Sequence, residues 1–188
     1  MKKVTSWDKL GLAFALIMLG LIFVLGQPQG LPDLTNYSFA SEPVRVAEFE
    51  ITEVEESQKP RRLLIPDLTI DLEVDQAPIV NGYWQVFVDK AGWGEGSGFP
   101  GAVGNQVIFA HAREGLFLPL KDVTIGQKVY ILTEAAWYEY RVEEINEVYP
   151  NQTQVIAPTT DERLTLYTCS GFADTKRLIV VAKPALKI

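Results

Sequence analysis

The sequence contains one cysteine and one histidine among 188 residues. A single cysteine cannot close an internal disulfide, so the fold has to rest on a packed core. The same scarcity excludes multi-cysteine and histidine-rich metal centres, and neither metal nor cofactor is expected. Basic clusters are small as well, the tight ones being pairs such as Lys2-Lys3 and Arg61-Arg62. The 17 basic residues are scattered and outnumbered by 24 acidic ones, giving a net charge of -7. Nucleic acid is therefore not an expected partner, because phosphate binding needs concentrated positive charge. Disorder is excluded from the other side: hydrophobic residues make up 47% of the chain, enough to build a core.

One long apolar run is present. Leu10 to Gly26, LGLAFALIMLGLIFVLG, carries no charge, and it approaches the about 20 residues that typically span a bilayer. Lys2, Lys3 and Lys9 precede it, and the next basic residue is Arg45. That asymmetry predicts a cytoplasmic N-terminus at 1–9, an uncleaved single-pass anchor at 10–26 and an extracellular remainder at the cell membrane. Ser38-Phe39-Ala40 has the small-x-small pattern of a cleavage site, but it lies too far beyond the apolar run to serve one. Residues 27–60, rich in Pro, Gln, Ser and Glu, read as a stalk. The folded domain is expected at 61–188.

Within that domain the pattern is of short strands. Arg62–Ile65 and Leu68–Val74 read as strands separated by the Pro66-Asp67 bend. Gly82 to Gly104 is glycine-rich and reads mostly as loop. Val107–Ala110, Lys128–Leu132, the alternating Trp137–Val148, Leu164–Thr168 and Leu178–Ala182 follow as strands, with one helical turn at Leu116–Leu120. The class is all-β, an antiparallel barrel or sandwich.

Three residues stand out by position. Cys169 ends a strand in which Leu164, Leu166 and Thr168 share one face, so it points to the other face, away from the leucines. His111 ends an apolar strand between two alanines, and Arg177 opens the strand that returns after the cysteine. Singly, each has a bland reading: core filler, a satisfied structural histidine, a surface cation. Each at a strand edge, with a hairpin-like return bringing Arg177 back beside Cys169, they suggest a single groove and together suit acyl transfer. A thiolate attacks an amide carbonyl, an imidazole moves protons as general acid and base, and a guanidinium steadies the oxyanion.

At this point a resemblance becomes specific. Thr165 to Cys169, TLYTC, matches the TLxTC signature of sortases, the membrane-anchored cysteine transpeptidases of Gram-positive cell surfaces. Gly104–Ala112, GNQVIFAHA, resembles the sortase segment around its histidine, and Ile65–Val74, IPDLTIDLEV, resembles the first strand. Gly92–Pro100, GWGEGSGFP, is similar to a loop of several subfamilies. The likeness covers about Arg61 to Pro184.

The resemblance implies an eight-stranded sortase β-barrel with short helices. It implies catalytic roles for Cys169 as nucleophile, His111 as general acid/base and Arg177 as stabiliser of substrate and oxyanion, with Thr168 lining the substrate site. The implied partners are surface proteins carrying an LPxTG-like C-terminal sorting signal, and an amine acceptor such as lipid II, a cell-wall peptide or a pilin lysine. The short spacing from cysteine to arginine resembles class D or E. Two alternatives stay open. L,D-transpeptidases also use cysteine, in an S-H-G-C-x-R context that Cys169 lacks. The other is a non-enzymatic, membrane-tethered β-domain that binds surface proteins.

Overall fold

The computed structural model describes residues 54–185; the expected cytoplasmic segment at 1–9, the anchor at 10–26 and nearly all of the stalk at 27–60 lie outside them. Among the described residues no helix is long and apolar enough to cross a membrane. They form ten strands: β1 (Arg62–Ile65), β2 (Ile70–Ala77), β3 (Ile79–Val80), β4 (Tyr83–Trp84), β5 (Ala91–Gly94), β6 (Gly104–Phe109), β7 (Lys128–Leu132), β8 (Trp137–Val148), β9 (Glu162–Ser170) and β10 (Lys176–Pro184). Eight of them close into a barrel in the order β1-β2-β5-β6-β9-β10-β8-β7, and β3 and β4 make a separate two-stranded sheet.

The strands form where the sequence alternates or runs apolar. In β2, Ile70, Leu72 and Val74 are buried while Asp71 and Glu73 face outward. Pro66–Leu68 is a 3-10 turn ended by Thr69 in the left-handed region, so this strand starts later than expected and reaches Ala77. The expected helical turn at Leu116–Leu120 is a 3-10 turn at Leu118–Asp122.

Two expectations change. The barrel is mixed rather than purely antiparallel: β2 pairs with β5, and β6 with β9, in parallel. A parallel neighbour requires a crossover, supplied by the β3–β4 excursion in one case and by β7 and β8 in the other. The second change lies in the glycine-rich stretch, which contains β4 and the barrel strand β5. Glycine is required within β5. A Cβ on Gly94 would stand 2.5 Å from the Trp84 ring, and one on Gly92 would stand 2.9 Å from the Phe109 ring.

The wall around β6 and β9 is buried on both faces, which is why these strands read as continuous apolar runs. Inside the barrel, Ile108, Ala110, Leu164, Leu166 and Val180 join the main core. On the outside, Val107, Phe109, Tyr167, Cys169, Ile179 and Val181 form a second core, covered by Trp84 and by Ile156 from the segment between β8 and β9. Trp84 stacks on Phe109 at 5.6 Å and 13°. Its indole N–H donates to the Glu95 carbonyl at 2.9 Å, and the Glu95 carboxylate accepts the Ile79 amide at 3.0 Å. One residue thus fastens both strands of the β3–β4 sheet.

Candidate active site

Cys169 occupies the outer face of β9, as the strand alternation predicts, and is 5% exposed. Its direct cross-strand partner in β10 is Arg177. On the other side, β6 runs parallel to β9 with Phe109 paired to Tyr167. The Ala110 amide continues the ladder by donating to the Tyr167 carbonyl at 3.3 Å. His111 lies two residues beyond Phe109 and Cys169 two beyond Tyr167, so the same register carried past the end of β6 would bring them level. β9 and β10 therefore deliver cysteine and arginine as a pair, and the chain leaving β6 brings histidine to the same end of these strands.

Each of the three is held by the backbone. The chain turns sharply after His111, whose carbonyl accepts the Phe117 amide at 3.0 Å. Arg177 is 3% exposed, and its Nη1 donates to the carbonyls of Asp174 at 2.7 Å and Lys176 at 2.9 Å. These bonds seat a guanidinium, whose charge is permanent, beside the cysteine strand. The turn that permits them, Gly171 to Thr175, has Ala173 and Asp174 both in the left-handed region, at φ 51 and 58. Two successive non-glycine residues in that conformation cost about 1–3 kcal/mol each, and they aim the Asp174 carbonyl at Arg177.

His111 is partly buried, and its pKa lies below the ordinary value of 6.5. Burial is the main cause and the Arg113 charge adds to it, while Asp174 acts in the opposite direction. The imidazole is therefore neutral at neutral pH and able to accept a proton.

Thr168, next to Cys169 in β9, faces the opposite side of the strand from the thiol. It is 1% exposed on the interior side of β9, and its hydroxyl donates to the Ala110 carbonyl at 2.8 Å. In this structure the residue ties the cysteine strand to the histidine strand. Among the described residues no group of three or more His, Cys, Asp or Glu side chains is arranged to hold a metal.

The sortase domain family matches residues 63–185, from the second residue of β1 to the end of the barrel. The chain belongs to the sortase family. Sortase A of Streptococcus agalactiae serotype III (strain NEM316) is 32% identical over 130 residues, covering 64% of this chain and 51% of that protein. This chain thus spans about half the length of that relative. Among solved structures, sortase A from Corynebacterium diphtheriae aligns with a TM-score of 0.58 at 27% identity, covering 71% of this chain and 63% of that one. The pilus-related sortase C of Group B Streptococcus aligns with a TM-score of 0.61 at 25% identity, covering 77% and 78%.

Reading this sortase from its sequence missed the groups that set the electrostatics of the rim. Arg113 and Asp174 are exposed loop residues, and only the folded turn places their charges around His111. It also missed Asn105 as an individual residue. The available signal was a polar pair, Asn105-Gln106, just ahead of the apolar run of β6, where the structure buries Asn105 to 2% exposure.

Proposed function

We propose that this sortase is a cysteine transpeptidase that cleaves an LPxTG-like C-terminal sorting signal and passes the acyl group to an amine. The observation that carries this reading is the row of His111, Cys169 and Arg177 at one end of the adjacent strands β6, β9 and β10.

The chemistry follows from the row. Neutral His111 takes the thiol proton as the Cys169 sulfur attacks the scissile carbonyl carbon. Arg177 stabilises the negative oxygen of the tetrahedral adduct. When the C–N bond breaks, His111 returns the proton to the departing amine and a thioester remains on Cys169. An acceptor amine then attacks the thioester, losing a proton to His111, and the sulfur leaves as the thiolate that is reprotonated. Thr168 contributes by holding the β6 and β9 ends together. The acceptor would be lipid II, a cell-wall peptide or a pilin lysine. The apolar run at 10–26, preceded by Lys2, Lys3 and Lys9 and followed by no basic residue until Arg45, supports a single-pass anchor and an extracellular catalytic domain.

The test uses the full chain purified in mild detergent, offered peptides carrying LPxTG, LAxTG and NPQTN-type signals with and without added amines. Mass spectrometry is expected to find cleavage within one signal and transfer to the amine. Cys169→Ala should lower kcat/KM by about 10⁴-fold or more, as loss of a catalytic nucleophile does. No cleavage of any signal, with Cys169 unreactive toward an alkylating reagent, would instead favour the β-domain that binds without catalysis.

A further inference from the structure

The end of the barrel opposite the catalytic row is where the chain enters the domain. β8 runs from Trp137 at that end to Val148, which pairs with Arg177. At about 3.3 Å per residue the two lie roughly 36 Å apart along the strand. The incoming segment is fastened beside Trp137, at the turn that joins β7 to β8. Val54 packs against the main core, the Ser57 carbonyl accepts the Ala135 amide at 3.1 Å, and Arg61 pairs with Glu56 and, at 3.3 Å, with Glu134.

Trp137 differs from the other described tryptophans. Trp84 and Trp93 are buried and donate their indole N–H groups to the carbonyls of Glu95 at 2.9 Å and Gly98 at 2.8 Å. Trp137 is 65% exposed, and its ring lies 5.9 Å from that of Tyr130 at 55°. Leu132 stands opposite Trp137 between β7 and β8, and Leu64 stands opposite Tyr130 between β1 and β7. The intervening Leu63, Val129 and Ile131 are buried inside the barrel, so alternation turns these four residues outward. The cations around them are already paired. Arg62 bonds to Asp71 at 2.6 Å, and Lys128 and Arg141 each meet Glu139 at 3.2 Å. An outward Trp–Tyr pair on an aliphatic base, bordered by paired charges, has the amphipathic character that settles at a lipid–water interface.

We propose that Leu64, Tyr130, Leu132 and Trp137 form a foot that rests in the headgroup region of a lipid bilayer. The proposal rests on the single-pass anchor reading above. Residues 27–53 separate the apolar run from Val54. Even at full extension a tether of that length reaches about 95 Å, which holds the domain near the bilayer at a local concentration on the order of millimolar. A weak contact then suffices, and the one offered to the lipid lies where the tether joins the domain. With its cations paired and the chain at a net charge of -7, the foot binds through its aromatic and aliphatic groups and gains nothing from anionic lipid. Standing on it holds the catalytic row, at the far end of β8, off the lipid.

The deciding experiment reconstitutes the full chain in phosphatidylcholine vesicles, with Trp7→Phe in every sample. Trp84 and Trp93 are then the buried indoles and Trp137 the exposed one, so the emission lost on adding Trp137→Phe is the Trp137 signal. A nitroxide on the lipid headgroup is expected to quench that signal about twofold or more, and aqueous iodide to quench it weakly. Vesicles containing phosphatidylglycerol should give the same result. Tyr130→Glu, which charges the foot but keeps Trp137, should reverse the order of the two quenchers and leave flotation with the vesicles intact. Trp137→Phe should keep its Tm, with kcat/KM for a soluble peptide within about twofold of native, as an exposed site remote from the row predicts. Quenching by iodide and not by the nitroxide would place the foot in water. Protection from both would mean that residues 27–53 or a second copy of the chain cover it. Either result overturns the proposal. If the native chain fails to float with the vesicles, the anchor reading itself fails, and the foot loses its tether and falls with it.

Discussion

The two faces of the β6–β9–β10 wall differ in what they ask of the same strands. The interior face carries aliphatic side chains only in its centre, Ile108, Leu164, Leu166 and Val180, all 0% exposed. The exterior face is equally well buried but mixed in chemistry: Phe109 and Tyr167 beside Cys169, Arg177, Thr165 and Asn105. The centre of the inner face needs only volume and hydrophobicity, which many residues supply, although Gln106 and Thr168 flank it as buried polar residues. The other needs particular atoms at particular places: Thr165 bonds to Asn105, and Asn105 and Arg177 donate to backbone carbonyls. The comparison teaches that burial alone does not separate core from site here; composition within the burial does. It also explains why Cys169 is only 5% exposed: it is part of a second core on the outer face.

Substitution on the inner face gives the largest expected effect on stability. Leu166→Ala should destabilise the domain by about 2–5 kcal/mol, the cost of lost burial plus a cavity. Chemical denaturation reads this directly, and the folded fraction should keep a near-native kcat/KM. If activity fell while the denaturation midpoint held, the two faces would not be separable in this way.

A milder change strikes the outer face without touching a reacting group. Gly94→Ala places a methyl 2.5 Å from the Trp84 ring and forces it off Phe109. Overpacking of this sort costs about 1–3 kcal/mol. Stability should therefore fall less than in Leu166→Ala, and KM for a cleaved peptide should rise, because Trp84 covers the same cluster as Cys169. Denaturation and steady-state kinetics on the two variants together test whether the loss of function follows the face or follows total stability.

Much of the inner face was legible from the sequence, and the outer face was legible only in outline. β1, β7 and β8 match their expected bounds because alternation is a local signal. The alternation of Leu164, Leu166 and Thr168 against Cys169 was enough to place the cysteine on the far side. β5 was missed because its glycines answer to Trp84 and Phe109, which meet it only in the folded chain. The parallel pairing of β6 with β9 was missed for a related reason: register between strands that are distant in sequence is set by the whole barrel. Thr168 was expected to line the substrate site as part of a signature, and the folded chain turns its hydroxyl to Ala110. The strand-edge positions of His111, Cys169 and Arg177 suggested a single groove; the registers of β9 with β10 and of β6 with β9 were not readable, since they depend on the whole barrel.

The smallest expected effect concerns charge on the outer face alone. His111 holds its proton more weakly in the folded chain than at the ordinary value of 6.5, chiefly because of burial and then because of Arg113. Below pH 6.5 the unfolded chain therefore binds more protons than the folded one, so stability falls as pH drops through that value and levels off below the folded pKa. At neutral pH the group contributes no such penalty, and His111→Gln should flatten the stability profile on the acid side only. The same shift places the acid limb of kcat/KM below pH 6.5, since the free enzyme needs a neutral imidazole. Two further substitutions push in opposite directions. Arg113→Gln removes a charge that lowers the pKa and should move the acid limb up. Asp174→Asn removes one that raises it and should move the limb down. Both residues are exposed, so added salt should shrink both displacements while leaving the part due to burial. Equal displacement in the same direction by both variants would mean that altered packing, and not charge, sets the proton affinity of His111.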